Sequence, residues 1–268
     1  MTLAHLTKIN LQKDKHVLGK AWLKTYGGFF GNKKHMEAFV KTVIPFIPKK
    51  EKLRILYVAS AQGTLGEMLS ETVRQTGSRV ELTITDASQK HLKENKNKQT
   101  QKVLGDLLKL SLPEKYDVII MRSSLDYFHT EKLQIKLLKR ISKWLSPKGI
   151  LINQACSLEN KQDRDTADKI YSSSNKIGKR HFQCEEDIGN IYKKAGLSLK
   201  KIGEGPTLNL SEKDHVERYK ITQKEVSKIQ EIICVTKAKT IKVTKTGYKM
   251  KFIFPIYLST KRKNTNLN

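Results

Sequence analysis

The stretch "YVASAQGTLGEML", residues 57–69, decides the reading of this chain. It follows the apolar run "LRILYVAS" (53–60), which reads as a buried strand. It runs into "TLGEMLSETVRQ" (64–75), whose apolar residues recur at helical spacing. A strand, a turn of small residues and a helix are the parts of a nucleotide-binding loop. Here, however, Ala59, Ser60 and Ala61 stand where such a loop is rich in Gly, and Tyr57 stands at its head. A plain tight turn would look the same, so the stretch has to be read with its neighbours.

Those neighbours alternate between strand and helix. "RVELTITD" (79–86) alternates as a second strand, and "SQKHLKENKNK" (88–98) is polar and helical. "KVLGDLLKL" (102–110) holds a short strand and a turn, and "YDVIIMRSS" (116–124) is a strand with an apolar centre. "EKLQIKLLKRISKWL" (131–145) is an amphipathic helix closed by "SPKG", and "ILINQAC" (150–156) is the next strand. "EEDIGNIYKKAG" (185–196) reads as a helix ending in Gly, followed by the strand "LSLKKIG". This alternation predicts an α/β fold with a mostly parallel sheet and helices on both faces. Ligands then bind at the carboxyl ends of the strands, where the turn at 59–64 lies.

The flanks read differently. Residues 1–50 predict a helical segment with aromatic residues Trp22, Tyr26, Phe29 and Phe30 around Gly27-Gly28, and "HMEAFVKTVIPFI" (35–47) is helical. The main domain is expected over 51–268. Within it, 204–247 reads as a helical insertion with one long helix over 213–233, and 248–259 as a final strand.

Composition limits the partners. The chain has 268 residues, with 38% hydrophobic and 7% aromatic residues, enough for one α/β domain and its additions. No apolar stretch approaches the roughly 18 residues of a membrane span. Cys156, Cys184 and Cys234 are far apart and form no CxxC, so neither a disulfide frame nor a metal site is expected; a reducing, cytoplasmic setting fits. The net charge is +26, from 43 Lys and 9 Arg against 26 acids. Residues 1–54 hold 12 Lys/Arg and 3 acids, and 9 Lys/Arg with no acid follow Glu231. Lys-dominated charge fits general attraction to a polyanion such as RNA, and it equally fits a genome-wide lean toward Lys codons.

The chemistry-bearing residues fall after successive strands. Asp86, with Ala87 beside it, ends the second strand, where a carboxylate can hold a ribose diol. Gly105-Asp106 lies in the third loop, where a carboxylate can accept from an adenine amino group and Leu107 can cover the ring. Ser123 and Ser124 follow the fourth strand in "YDVIIMRSSLDYFH", and "LSPKGILIN" gives helix, turn and fifth strand. This series resembles the class I, Rossmann-like S-adenosylmethionine-dependent methyltransferases, in particular the group with an "LxPGG"-type turn before the fifth strand. The resemblance runs from about 53 to 202, includes "FQCEEDIGNIYKKAGLSLKKI", and assigns 248–258 as the antiparallel seventh strand. Laid on the family pattern acid-x-Gly-x-Gly-x-Gly, the acid falls on Tyr57 and the glycines on Ala59, Ala61 and Gly63. Restoring the acid, Tyr57→Asp, is expected to tighten cofactor binding if the missing carboxylate is the weak point.

The resemblance implies S-adenosyl-L-methionine as cofactor, held by Ala59, Ser60, Ala61, Gly63, Asp86, Ala87, Asp106, Leu107, Ser123 and Ser124. It implies methyl transfer to a small-molecule acceptor by in-line alignment of nucleophile, methyl and sulfur. Where the acceptor carries a proton, the expected general bases are His129, Asp126 and Tyr127, with His181 as another candidate. Trp22, Tyr26, Phe29 and Phe30 are expected to form a lid over the substrate. Two alternatives stand beside this reading: an RNA methyltransferase that uses the basic surface, and a non-catalytic binding protein on the same fold. The oligomeric state is not legible.

Overall fold

The computed structural model describes residues 23–262. Trp22 and the rest of the first 22 residues lie outside the described residues.

An aromatic turn opens the described chain, Thr25–Gly28 running into Phe29–Gly31. Helix α1 (Lys33–Val43) follows, its first turn closed by the Asn32 side chain. The alternating core comes next: β1 (Lys52–Val58), α2 (Thr64–Arg74), β2 (Arg79–Asp86), α3 (Gln89–Glu94), β3 (Gln101–Leu104) and β4 (Tyr116–Arg122). Helix α4 (Glu131–Trp144) leads into β5 (Leu145–Gln154). These strands pair in parallel in the order β3-β2-β1-β4-β5. The expected "SPKG" turn is absorbed into the start of β5, where the register with β4 shifts.

β1 and β4 are apolar on both faces because both faces are covered. Leu53, Ile55, Val118 and Ile120 face α1 and α2, with Phe39, Val43, Leu65 and Leu69 packed on them. Leu56, Val58, Ile119 and Met121 face the opposite way, against Leu137, Leu138 and Ile141 of α4. All fifteen are fully or almost fully buried, and a buried aliphatic or aromatic side chain of this size contributes about 1.5–3 kcal/mol.

The second half of the chain closes the sheet and builds a cap. Strand β6 (Ser157–Leu158), helix α5 (Lys161–Ser172) and strand β7 (Gln183–Cys184) precede α6 (Glu185–Lys194). Strand β8 (Lys200–Ser211), α7 (Glu212–Tyr219), α8 (Gln223–Thr236), β9 (Ile241–Thr244) and β10 (Gly247–Thr260) follow. β10 is antiparallel to β5 on one side and to β8 on the other, which completes the expected arrangement with an antiparallel last strand. The sheet has ten strands rather than seven, because β6, β7 and β9 add to the basic set. β10 also runs past the carboxyl end of β5: Ile256 pairs with Gln154, and the residues before it pair with β8 and β9. This overhang carries a separate apolar core in which Phe252 and Phe254 meet Ile170, Tyr171, Ile229 and Ile233.

Two expectations for the cap are corrected. The stretch 213–233 is two helices, not one. Lys220 turns left-handed (φ 54°), and Thr222 then starts α8 with a reciprocal cap in which its side chain accepts from the Glu225 backbone. Helix α5 was not anticipated; its apolar residues are few, and Asn160 and Asp163 shape its start. Asp163 is buried because its carboxylate accepts from the Lys239 and Thr240 backbone N–H groups and from the Thr240 hydroxyl. His215 is a core histidine between the hydroxyls of Tyr248 (2.7 Å) and Tyr171 (3.1 Å); burial pushes its pKa down to about 3, so it stays neutral. Thr222→Ala should remove the cap of α8 at a cost of about 1 kcal/mol. Thermal unfolding should show this as a midpoint lowered by about 2–4 °C.

Candidate active site

The turn after β1 has the backbone of a glycine loop built from other residues. Ala59 and Ala61 both sit left-handed (φ 48° and 49°), and Gly63 follows at φ 81° as the residue before α2. A non-Gly residue in this region costs about 1–2 kcal/mol, so the loop holds two strained alanines. It is tied down on every side. The Ser60 N–H donates to the Thr85 carbonyl, the Ala61 N–H to the Asp86 carboxylate at 2.9 Å, and Asn95 donates to the Gln62 carbonyl at 3.0 Å. Gly63 has no room for a side chain, since a Cβ there would lie 2.9 Å from Ile84 Cδ1.

The other predicted cofactor residues gather around this loop. Asp86 ends β2, and its carboxylate also accepts from the Ser88 N–H (2.8 Å) and contacts His91 Nδ1 (3.3 Å). Ala87 is half-buried beside it. The Gly105 N–H donates to the Asp86 carbonyl, which brings the β3 loop against the end of β2. Asp106 Oδ1 accepts from the Leu108 N–H, and Leu107 is buried in the core with its carbonyl bound by Arg140. Ser123 follows β4 in a left-handed conformation (φ 48°), and its buried hydroxyl, like that of Ser124, has no hydrogen-bond partner.

Tyr57 is a packing residue. Its ring is 5% exposed, lies against Gly66 of α2 and belongs to the core beneath the loop. Burial pushes its hydroxyl up to about 12, opposed by the nearby Arg122 charge. Tyr57→Asp would therefore empty a core site and bury a carboxylate, a folding defect before it is a test of cofactor binding.

Behind the carboxyl ends of β4 and β5 lies a small, partly open cavity. Its floor is Ser123, Asp126, Tyr127 and Cys156. Its walls and roof come from the cap, through Tyr171 of α5, Arg180 and Phe182, Leu208 and Leu210 of β8, Arg218 and Tyr219 of α7, and Phe252 of β10. The aromatic turn closes it with Tyr26 and Phe30. Arg122 ties that turn to the sheet: it donates to the Phe30 carbonyl at 3.2 Å and to Gln154 Oε1 at 2.7 Å. Phe29 packs on Phe254, outside the cavity lining. Ser123 thus belongs to both the loop cluster and the cavity.

The predicted bases separate. Asp126 and Tyr127 line the cavity. Asp126 is 4% exposed; burial pushes its carboxyl up to about 7, against the pull of Arg180 and Arg218. His129 is half-buried and does not line the cavity; burial and the charges of Lys179, Arg180 and His181 lower its pKa. His181 is held by Asp168 at 2.8 Å, and its N–H donates to the Asp126 carbonyl. Three arginines, Arg122, Arg180 and Arg218, were missed; their rarity beside 43 Lys was the available signal. Among the described residues no group of three or more His, Cys, Asp or Glu could hold a metal ion, and no helix is long and apolar enough to cross a membrane.

Removing strain without touching the contacts should stabilise the loop. Ala59→Gly and Ala61→Gly should each gain about 0.5–1 kcal/mol, the left-handed penalty less the extra entropy of Gly. Gly63→Ala should destabilise. Thermal unfolding of the three variants measures the sign of each.

Comparison with known proteins matches this geometry. Residues 33–202 match the family model described as a methyltransferase domain. The solved YcgJ protein of Bacillus subtilis superposes with a TM-score of 0.67 at 12% identity, covering 87% of this chain and 100% of that one. An S-adenosylmethionine-dependent methyltransferase from Clostridium acetobutylicum gives 0.50 at 16% identity over 87% and 93% of the two chains. Phosphoethanolamine N-methyltransferase 2 of Haemonchus contortus, solved with phosphomonomethylethanolamine and S-adenosylhomocysteine, gives 0.54 at 13% identity over 90% and 58%. A comparison with curated proteins finds no match. The chain belongs to the methyltransferase domain family and has the Rossmann-like fold of these structures.

Proposed function

We propose that the protein moves the methyl group of S-adenosylmethionine to a small-molecule acceptor bound at the cavity behind β4. The lining of that cavity carries the reading. It is walled by aromatic side chains and two arginines, with no lysine among the described residues that line it. A pocket that is mostly apolar with a few convergent polar groups suits a small ligand, whereas an RNA acceptor calls for an open basic groove that tracks a backbone.

We assign the cofactor to the loop Ala59–Gly63, with Asp86, Ala87, Asp106, Leu107, Ser123 and Ser124 around it. The fit rests on three observations: the left-handed backbone at Ala59 and Ala61, the cradle at Gly63 that a Cβ would fill, and the unpartnered hydroxyls of Ser123 and Ser124. When bound, the cofactor supplies a methyl group already activated on a sulfonium. The chain's own task is to hold the acceptor in line and keep water out. We assign the lid to residues 1–50, where Tyr26 and Phe30 close the cavity and Gly27 and Gly28, both left-handed, shape the turn.

We assign to Asp126, which lines the cavity, the role of taking a proton from the acceptor. A carboxyl group near 7 is half ionised at neutral pH, which matches base work at that pH. The base must be deprotonated, so the rate should rise with pH through about 7 and level above it. Tyr127 and the more remote His129 are the other candidates.

Incubating the full-length protein with methyl-tritiated S-adenosylmethionine and either a small-metabolite extract or total RNA tests the proposal. Label should enter the small-molecule fraction; label confined to RNA would reverse the assignment. With the labelled acceptor in hand, Asp126→Asn should lower kcat by about 10²–10⁴-fold and flatten the acid limb of the pH profile. An unchanged profile would remove Asp126 from the chemistry.

A further inference from the structure

Three buried side chains form a hydrogen-bonded series that ends at the cavity. Tyr248 of β10 and His215 of α7 are 1% and 0% exposed, while Tyr171 of α5 is 4% exposed and lines the cavity. His215 Nδ1 lies 2.7 Å from the Tyr248 hydroxyl, and His215 Nε2 lies 3.1 Å from the Tyr171 hydroxyl. Among the described residues, each hydroxyl has that one imidazole nitrogen as its hydrogen-bond partner.

The series has a direction. His215 is neutral, because burial pushes its pKa down to about 3, so one ring nitrogen donates and the other accepts. Both tyrosines keep their protons, because burial pushes each hydroxyl well above its ordinary range. Two hydroxyl hydrogens and one N–H hydrogen therefore share two contacts, and one hydroxyl hydrogen has to point elsewhere. If Nδ1 carries the ring proton, it donates to Tyr248, and the Tyr248 O–H is stranded in the core without an acceptor, which is costly. If Nε2 carries it, Tyr248 donates to Nδ1 and Nε2 donates to the Tyr171 oxygen. The spare hydrogen is then on Tyr171, at the cavity wall, where a bound molecule can accept it. Hydrogen-bond accounting thus assigns the Nε2–H tautomer. Donors in series polarise one another, so the N–H behind Tyr171 makes its O–H a better donor.

We propose that Tyr171 donates a hydrogen bond to the methyl acceptor, which therefore carries an oxygen of the carbonyl or ether kind besides the group that is methylated, and that His215 and Tyr248 are positioning residues that aim this donor. This inference rests on the small-molecule reading above.

Nitrogen-15 NMR of the full-length protein labelled at histidine reads the tautomer, with His215→Asn identifying the signals of His215. The Nε2–H form should be seen, and the Nδ1–H form would overturn the proposal. The methyl-label assay, run on dilutions of the small-metabolite extract, reads the contact with the acceptor. Tyr171→Phe should raise the extract concentration for half-maximal rate by about three- to tenfold and leave the maximal rate within about twofold. His215→Gln puts an amide N–H where Nε2–H stands and should stay close to the unaltered protein, although it leaves the Tyr248 hydroxyl unpaired. His215→Asn satisfies Tyr248 but leaves Tyr171 unheld, and should follow Tyr171→Phe. Circular dichroism and S-adenosylhomocysteine affinity report that the variants are folded. An unshifted half-maximal concentration in Tyr171→Phe, or equal effects of His215→Gln and His215→Asn, would overturn the proposal. Failure of the unaltered protein to label any small molecule would overturn the small-molecule reading, and the role of Tyr171 toward an acceptor with it, while the NMR spectra would still decide the tautomer.

Discussion

Strand β10 has to satisfy two structures at once, and the rest of the molecule follows from that. Its last residues pair with β5 inside the parallel sheet, while its first nine overshoot the sheet's carboxyl edge. Backbone groups on an overhanging strand must still be paired, and an uncovered apolar edge invites aggregation. β8 and β9 take up the hydrogen bonds, and α5, α7 and α8 cover the apolar residues. The covering elements lie over the place where ligands approach an open α/β sheet. A solution to a strand-edge problem is thus also the roof of the cavity behind β4.

The cavity's polarity depends on the same cap. Arg180 precedes β7 and Arg218 lies on α7, so neither belongs to the sheet that carries Asp126 and Tyr127. Their charges can stay buried because Tyr26, Tyr127 and Tyr219 offer ring faces and a hydroxyl. Asp126 feels two opposed effects there: burial raises its pKa and the two guanidinium groups lower it, and burial wins. Cap, aromatic turn and β4 loop therefore form one electrostatic unit, although they come from distant parts of the chain.

The sheet was legible because its signals are local. Strand and helix periodicities alternate cleanly from β1 to β5, and Asp86, Asp106 and Ser123 fall at or just past strand ends, where position alone suggests a role. The cap was only half legible. α5 has a polar, weakly periodic sequence, and what buries it is Asp163 gripping the backbone at 239 and 240. The break at Lys220 between α7 and α8 carries neither Gly nor Pro, so no turn signal marks it. The arginines escaped notice for a similar reason. Arg180 and Asp126 meet only through the fold, and a basic residue in a chain of net charge +26 reads as surface until its burial is known.

The loop after β1 bears on whether its missing glycines mean lost function. A loop released from binding would be free to relax, because left-handed alanines cost energy and no packing requires them as such. Here Ala59 and Ala61 hold the glycine-like path, and the surroundings enforce it through the Asp86 carboxylate, the Thr85 carbonyl and Asn95. Strain of this kind persists where neighbouring contacts over-determine the backbone, and it gathers at ligand sites. The two substitutions changed the side chains and kept the shape. In this chain the path of the backbone, more than the identity of its residues, is what supports the proposed cofactor loop.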